Sequence, residues 1–580
     1  MIPGYISFQA EIKNLKFETN DKHRYSKTAI ITFDVARRSK PLVELLGYVD
    51  EEDIYQMIDR GEPIILDQCY IARFSLENYR ATRKLDKKEV VKINGFVARE
   101  SFFDSSQAFD FSYSIIENSN FDLTSSWFHR GALHFDSTLF KCGEVSFHDV
   151  KFPAYNFDFK NVVVTGGNVN FRNAIFGSGT KDFQYTEFGD GDVSFANTEF
   201  GEGDVSFINA NFGAGETSFK VARFGAGKVD FHYAKFGKGL ISFERTEFGD
   251  GRVDFRTVEF GTGKVNFNRS LFGDGEVSFE ASEMESGKFS FKRADFGKGS
   301  VSFEEAIFRN IEVSFERTNF GQGNISFYKS VFKTLSFKFC HLDHYVDLRL
   351  FSCVEIDLSD TVVRDIIDLN PYEFDLVCNI INFAGMRLIG RLYLDWNRNF
   401  VRKIIVNQDS ADQRTKAEQF RILKENFSSC GQYEDEDHAY VEFKRHEARA
   451  ILHDSLERNR YNSLWSYPAY WFKQALFDKA GLYATSPVRV LGTMLTAFVI
   501  FSLVYILMIL TTEADIVASV NDHLSVVSRS FYHSAITFFT IGYGDHFPYR
   551  GIRWVSSLEG FAGLFLMSYF TVAFVRKLLR

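Results

Sequence analysis

A phenylalanine recurs at every twelfth position from Phe135 to Phe327, and this periodicity constrains the fold more than any other feature of the chain. A second series lies five residues further on, from Phe140 to Phe332, and is interrupted only at Val164 and Met284. The unit is G-x-G-x-V-S/D-F-x-x-A-x-F, and residues 225 to 236 contain it intact. Fixed self-similarity of this kind is typical of repeat architectures, in which neighbouring units stack to bury a continuous core.

The spacing inside the unit resembles the pentapeptide-repeat family. Ala234 precedes Phe236 by two positions, and Val229 precedes Phe231 by two. In that family each five-residue unit forms one side of a square β-solenoid and points one large and one small residue inward. Here two residues are added per ten, and we assign them to the glycine-rich corner, where glycine tolerates positive φ and close backbone approach.

Two 12-residue units would then form one coil, so the regular array predicts about eight coils and a rod roughly 40 Å long. Looser repeats flank the array on both sides, and we therefore predict a right-angled β-solenoid over residues 62–400. Residues 1–61 are expected to cap it, because a repeat stack needs a polar terminal unit. Within the cap, DEEDIYQMIDRGE has the acidic start and terminal glycine of a short helix.

Composition and charge exclude several classes of function. The chain has 66 Phe and 41 Gly among 580 residues, and its net charge of −9 does not indicate a nucleic-acid-binding surface. The six cysteines are scattered without metal-ligand spacing, so we expect reduced thiols. No nucleophile, phosphate loop or metal-ligand cluster stands out, and we predict neither an enzyme nor a catalytic residue.

Two other interpretations of the repeat are weaker. Calcium-binding β-roll repeats also use glycine and aspartate, but they have a period of nine residues, and the residue between the two glycines here varies widely. Mimicry of DNA would need an acidic rod, whereas the outward positions include Lys238, Arg245, Lys264 and Lys298. Whether the solenoid senses a cytoplasmic ligand, a partner protein or membrane tension stays open.

Residues 408–460 are charged and predict a helical hairpin. Phe420, Leu423 and Phe427 have helical spacing, Gly431 stands where a helix would end, and a second helix follows from about residue 434 to 452. Residues 461–485 contain many aromatic side chains between charged ones, which predicts a helix lying along the membrane surface. Another soluble amphipathic helix is the alternative.

Residues 486–580 are predicted to cross a lipid bilayer twice. Residues 490–510 contain no charge, and a second apolar stretch covers about residues 554–575. Arg489 precedes the first span and Arg576 follows the second, so both outer ends should face the cytoplasm. The N-terminus has no secretory pattern. We therefore expect a multi-pass protein of the cell (inner) membrane with its solenoid and C-terminus in the cytoplasm.

Between the spans, the apolar residues 529–539 are too few to cross the membrane and predict a re-entrant half-helix. The sequence Thr-Ile-Gly-Tyr-Gly-Asp follows at residues 540–545. In this context it resembles the selectivity-filter signature of the potassium-channel superfamily, with Ile where Val is also usual. The two flanking helices resemble the two-transmembrane bacterial branch of that superfamily.

The resemblance implies a role for each filter residue. Rings of backbone carbonyls replace the water shell of K⁺ in such filters, and glycines allow the unusual dihedral angles that this needs. The carbonyls binding K⁺ would come from Thr540, Ile541, Gly542 and Tyr543, with the Thr540 hydroxyl added and Gly544 completing the filter. The Tyr543 ring would pack outward against the half-helix, and Asp545 would anchor the filter from outside. Because one chain supplies one filter segment, a homotetramer is implied.

Residues around the filter leave alternatives open. Glu559 lies in an apolar span and is expected to support the filter through a hydrogen bond or an ion pair, for which Arg553 is one candidate. Gly563 is either a gating hinge or a site of close helix packing. Acids at 513, 515 and 522 either attract cations or belong to a solvated loop.

No row of arginines precedes the first span, so voltage sensing is not predicted. A membrane scaffold with a dead pore and a weakly selective cation channel remain as alternative functions.

Overall fold

The computed structural model describes residues 5–20, 22–35, 40–458, 463–519 and 524–579. They form two compact units, residues 1–407 and residues 408–580. The first unit is a β-solenoid of about 14 coils preceded by a small sheet, and the second is almost entirely helical. This architecture confirms the predicted fold class of a solenoid followed by helices and two apolar helices.

The N-terminal strands extend one side of the solenoid. Tyr5–Lys13, Lys27–Val35 and Leu42–Tyr48 pair antiparallel, and the last of them pairs in parallel with Cys69–Ile71. The same six-stranded sheet continues into Phe102–Asp104 and Trp127–Arg130. Phe17–Glu18 and Arg24–Tyr25 form a separate two-stranded pair. The first edge of the solenoid is therefore covered by paired strands.

Helix α1 (Glu51–Arg60) has the acidic first turn that the sequence predicts, and Gly61 ends it at φ 66°. Ile54, Tyr55 and Ile58 are its buried residues. Helix α2 (Leu76–Arg83), which the sequence did not predict, is capped by Ser75, whose hydroxyl accepts from the Asn78 amide. Both helices interrupt the solenoid near its start, before the repeat becomes regular.

Most solenoid strands belong to two long parallel sheets. The 13-stranded sheet contains Phe109–Asp110, Leu133–His134, Phe157–Asp158, Lys181–Asp182, Val205–Ser206, Val229–Asp230, Val253–Asp254, Val277–Ser278, Val301–Ser302, Ile325–Ser326, Val346–Asp347, Ile366–Asp368 and Arg391–Tyr393. The 14-stranded sheet contains Ile64–Ile65, Phe96–Val97, Phe121–Asp122, Glu144–Ser146, Asn168–Asn170, Val193–Ser194, Thr217–Ser218, Ile241–Ser242, Lys264–Asn266, Gly287–Ser290, Ile307–Ser314, Val331–Ser336, Ser352–Asp357 and Val377–Asn382. Two shorter sheets contain Val91–Ile93, Ser114–Glu117, Leu139–Lys141 and Val163–Val164, and His341–Leu342, Val362–Val363 and Arg387–Leu388.

One regular coil contains two 12-residue units. Val193 pairs with Thr217 in one sheet and Val205 pairs with Val229 in the other, so each strand meets the residue 24 positions later. The other two sides are joined by single bridges with the same offset, such as Glu187 to Asn211. The coil therefore has four sides, two built on short strands and two on isolated bridges.

The phenylalanine series forms the core. Phe219 and Phe243 stack one coil apart with ring centroids 4.8 Å apart and planes within 1°, and Phe231 stacks on Phe207 at 4.7 Å. Rings from the two halves of a coil meet edge to face, as Phe231 and Phe219 do at 5.5 Å. Such offset and edge-on contacts stabilise aromatic clusters beyond the area they bury. The prediction that these rings form a core and not a ligand cage is confirmed.

The corners confirm the expected close backbone approach at the glycines and add a left-handed residue that the sequence did not predict. In each regular unit the second residue after the first phenylalanine is left-handed, for example Asn197 at φ 58° and Val221 at φ 60°, and it is not a glycine. Some corner glycines have positive φ, such as Gly201 at 60°, but Gly225 does not. A Cβ on Gly225 would lie 2.2 Å from the carbonyl oxygen of Gly201 in the preceding coil. Glycine is required at this corner mainly because the backbones of successive coils approach closely.

After the last solenoid strand, helix α3 (Val401–Val406) ends the first unit. The second unit begins with helices α4 (Gln413–Ser429) and α5 (Tyr433–Arg458), which Gly431 separates at φ 75°. His446 of α5 stacks on Phe420 of α4 with ring centroids 5.4 Å apart. This pair is the hairpin that the apolar spacing predicts.

Helix α6 (Ser463–Lys473) continues into a π-helical segment, Gln474–Lys479. Trp465 is 84% exposed and Trp471 is 64% exposed, so α6 presents aromatic side chains to its surroundings. Helices α7 (Pro487–Thr511) and α9 (Ile552–Leu578) are each long and apolar enough to cross a membrane. Between them lie α8 (Val526–Phe538) and an antiparallel strand pair, Ile516–Ala518 with His546–Pro548.

Candidate functional site

The segment after α8 is tied to the end of that helix by its own backbone. The amide of Thr540 donates to the Thr537 carbonyl at 3.1 Å, and the amides of Ile541 and Gly542 both donate to the Ile536 carbonyl, at 2.9 and 3.1 Å. In a trans peptide the N–H and the preceding C=O point in opposite directions. The carbonyls of Thr540 and Ile541 therefore point away from α8.

Every second residue of the segment is left-handed. Thr540 has φ 56°, Gly542 has φ 62° and Gly544 has φ 77°. When left-handed residues alternate with others, successive peptide planes turn so that their carbonyls can face one side. Neither a regular helix nor a regular strand has this arrangement. The requirement for glycine was expected, but the left-handed threonine was not. Such strain persists where the surroundings hold it, and it is common at functional sites.

The same segment lies on the surface of the single chain. Ile541 is 49% exposed and Tyr543 is 71% exposed. The packing of the Tyr543 ring against a half-helix thus stays a prediction about an assembled form. Large apolar and aromatic side chains exposed beside a strained backbone indicate a surface that other chains can cover.

Asp545 is held through α8. Its carboxylate accepts a hydrogen bond from the Tyr532 hydroxyl at 2.7 Å, and its own carbonyl accepts from the Ser519 amide at 2.7 Å. The Tyr532 hydroxyl bond keeps the pKa of Asp545 below its ordinary value, because it stabilises the ionised form. Tyr532 is therefore a supporting residue that sequence reasoning missed.

Glu559 is fully buried at the meeting point of the three helices. Its two carboxylate oxygens accept hydrogen bonds from the Tyr505 hydroxyl of α7 and the Ser534 hydroxyl of α8. The suggested ion pair with Arg553 is wrong: the Arg553 side chain donates to the Pro548 carbonyl at 3.3 Å. A hydroxyl partner suits a dry interior because it needs no second buried charge. Neither Tyr505 nor Ser534 was predicted from the sequence. A polar residue within an apolar helix is the signal that could have identified them.

Replacing Glu559 with leucine is expected to destabilise this unit, because the Tyr505 hydroxyl loses its acceptor and the Ser534 hydroxyl keeps only the more distant Phe498 carbonyl, at 3.3 Å. Two interhelical hydrogen bonds in a membrane contribute about 1–3 kcal/mol together. The midpoint of thermal unfolding in detergent should fall for Glu559→Leu and fall less for Glu559→Gln, which keeps one acceptor. Ser557→Ala on the exposed side of α9 serves as the control. A Glu559→Leu protein as stable as the wild type would contradict this role.

Gly563 of α9 packs directly on the end of α8. A Cβ at this position would lie 2.0 Å from the carbonyl oxygen of Phe538, the last residue of α8. At Gly560, one turn earlier, the nearest atom would be Thr537 Cγ2 at 3.9 Å. This contact supports the packing interpretation of Gly563, and the hinge stays a prediction.

The acids between α7 and α8 are paired where the structure describes them. Glu513 bonds to Arg550, and Asp515 binds Arg529 at 2.8 Å. Asp522 lies outside the described residues. Ion pairing reduces the charge that Glu513 and Asp515 can offer to passing cations, and it ties the loop to the start of α8 and α9.

Residues 493–580 match a protein-family model described as ion channel. The matched range includes most of α7, all of α8, the left-handed segment and α9. No curated protein and no solved structure matches the chain significantly. Two membrane-capable helices, a half-length helix between them and this family match agree with one another. Residues 493–580 are therefore similar to an ion-channel domain, and a β-solenoid precedes them along the chain.

Proposed function

We propose that the chain is one subunit of a homotetrameric potassium channel. The observation that carries the proposal is the left-handed backbone at Thr540, Gly542 and Gly544, together with amides directed at α8. This geometry leaves carbonyls free on one side, which is what a dehydrated K⁺ needs in place of water. The coordinating carbonyls would be those of Thr540, Ile541, Gly542 and Tyr543.

A closed pore needs more than one copy of this segment. Four chains around one axis would complete each ring of carbonyls and cover the exposed Tyr543 side chain. The basic residues Arg489 and Arg576, at the outer ends of the two spans, favour a cytoplasmic position for both ends. The solenoid would then be cytoplasmic and would regulate, assemble or anchor the pore.

Flux through liposomes that contain the purified full-length protein tests the proposal. We expect a potassium current that barium blocks, since Ba²⁺ enters the same carbonyl sites. In a tenfold potassium gradient the reversal potential should approach about 59 mV in magnitude, the value for one monovalent charge. A reversal potential near zero in mixed sodium and potassium would favour a weakly selective cation channel.

Gly542→Asp is expected to abolish the current, because a side chain and a charge enter the filter and the left-handed backbone becomes costly. Gly431→Asp is the matched control. Gly431 also has positive φ and open space around its Cβ, but it lies in the α4–α5 turn. No current from the wild type, or equal currents from the wild type and Gly542→Asp, would contradict the proposal and favour a scaffold with a dead pore.

A further inference from the structure

The last turn of α9 is held by the first turns of α5. Arg576 Nη2 lies 3.0 Å from Asp437 Oδ1, and Lys577 Nζ lies 3.1 Å from Asp437 Oδ2. The Arg576 guanidinium also lies 4.4 Å from the centre of the Tyr440 ring. Asp437 is only 7% exposed, so solvent screens these contacts less than it screens a surface ion pair.

A second attachment joins α5 to the segment before α7. Arg445 binds Asp478 in a bidentate manner, with nitrogen–oxygen distances of 2.8 and 3.0 Å, and Asp478 is 1% exposed. Asp437 and Arg445 are eight positions apart, about 12 Å along the helix axis. Helix α5 is therefore fastened both to α9 and to the π-helical segment that precedes α7.

Those two elements are also fastened to each other. The Tyr569 hydroxyl of α9 accepts from the Ala484 amide at 2.8 Å and donates to the Phe477 carbonyl at 2.9 Å. Leu482, Tyr483 and Ala484 are all left-handed, with φ of 49°, 54° and 62°. Three consecutive left-handed residues other than glycine are costly and make this turn tight. Helix α5 is thus connected to α9 both directly and through this turn.

Polar side chains join helices α4 and α5 to each other and to the segment that precedes α4. His446 Nδ1 bonds to Gln413 Oε1 at 2.8 Å, and Gln408 and Gln419 exchange two buried hydrogen bonds at 2.7 and 2.9 Å. Residue 408 is the first of this unit in chain order, residue 413 begins α4, and the solenoid precedes both. Any signal that the solenoid sends along the chain enters the channel domain through this hairpin.

We propose that Asp437 is a positioning residue for the gate: by holding Arg576 and Lys577, it couples the position of the α4–α5 hairpin to the end of α9 and sets the open probability of the pore. This inference rests on the proposed channel function and adds a site of regulation to it. This role needs no contact between Asp437 and the permeating ion, because Asp437 acts through α9.

Asp437→Lys tests the coupling in planar bilayers with the full-length tetramer. The variant places a third positive charge against Arg576 and Lys577, and we expect at least a tenfold change in open probability. Single-channel conductance and reversal potential should not change, because the filter is untouched. Adding Arg576→Glu and Lys577→Glu to Asp437→Lys should restore the open probability to within about twofold of the wild type.

Glu434→Lys is the matched control, since Glu434 is an exposed acid of the same first turn. If Asp437→Lys does not assemble, the pair Asp437→Cys and Lys577→Cys is cross-linked with a bis-methanethiosulfonate reagent, whose linker replaces the length of the Lys577 side chain. The open probability should then shift at least tenfold and return when the two disulfides to the linker are reduced, with reagent-treated wild type as reference.

Three results would overturn the inference while leaving the channel intact. The first is a conducting Asp437→Lys tetramer with wild-type open probability, and the second is a cross-linked pair that gates normally. The third is an open probability changed equally by Glu434→Lys, because charge on α5 in general would then be responsible. A wild type without barium-sensitive current contradicts the proposed function itself, and the coupling falls with it.

Discussion

Replacing Gly563 with alanine is expected to abolish potassium flux, the largest effect that a single methyl group should have in this chain. The new Cβ would lie 2.0 Å from the Phe538 carbonyl oxygen and 3.1 Å from the Phe538 Cα, so the backbone of α8 or α9 has to move. Forced overpacking of this kind costs typically about 1–3 kcal/mol. Phe538 is two residues before Thr540, and a shift there would displace the amides of residues 540–542, which hold the proposed filter.

The control is Gly560→Ala on the same helix, where the nearest atom to the new Cβ is 3.9 Å away. That contact is ordinary, and alanine favours a helix over glycine by about 1 kcal/mol. Gly560→Ala should therefore assemble and conduct like the wild type. Barium-sensitive flux from liposomes measures both variants. A conducting Gly563→Ala channel with altered open probability would favour the hinge and contradict the packing interpretation.

The second large effect is expected in the solenoid. Phe231→Ala should lower the free energy of unfolding by about 3–5 kcal/mol, the usual cost of truncating a buried aromatic residue. Phe231 is fully buried and stacks between Phe207 and Phe255, with ring centroids 4.7 and 4.9 Å away. Because a coil contacts mainly its two neighbours, the damage should be concentrated in the central coils.

Thermal unfolding of the full-length protein, followed by far-ultraviolet circular dichroism, measures this loss. Tyr233→Ala is the matched control, because Tyr233 is an aromatic residue of the same repeat that is 50% exposed. Its replacement should shift the midpoint little, since exposed substitutions usually change stability by about 0.5 kcal/mol or less. Equal midpoints for Phe231→Ala and the wild type would show that the ring ladder does not stabilise the coil.

Several parts of the fold could be predicted because their signals are local or periodic. The 12-residue phenylalanine spacing predicts stacked coils that bury both ring series, and the resemblance to the pentapeptide-repeat family implies four sides per coil. Helix α1 carries its own start and stop signals in its acidic first turn and Gly61. The apolar spans α7 and α9 are evident from length and composition.

The corner geometry could not be predicted in the same way. Asn197, Val221 and Tyr233 share a left-handed conformation, although a valine and a tyrosine give no local reason for it. The conformation follows from hydrogen bonds to the next coil, such as the Val221 amide to the Glu244 carbonyl at 2.9 Å. Those bonds exist only after the coils have stacked.

The candidate site also combines parts that the sequence predicts with parts that only the tertiary structure shows. The sequence by itself determined the two membrane-capable helices, the shorter helix between them and the motif of residues 540–545, because each is a continuous stretch with its own composition. Only the tertiary structure decided that Glu559 meets Tyr505 and Ser534, and that Arg576 meets Asp437 from 139 positions away. Side chains so far apart in the chain carry no spacing signal, and their pairing depends on how whole helices pack.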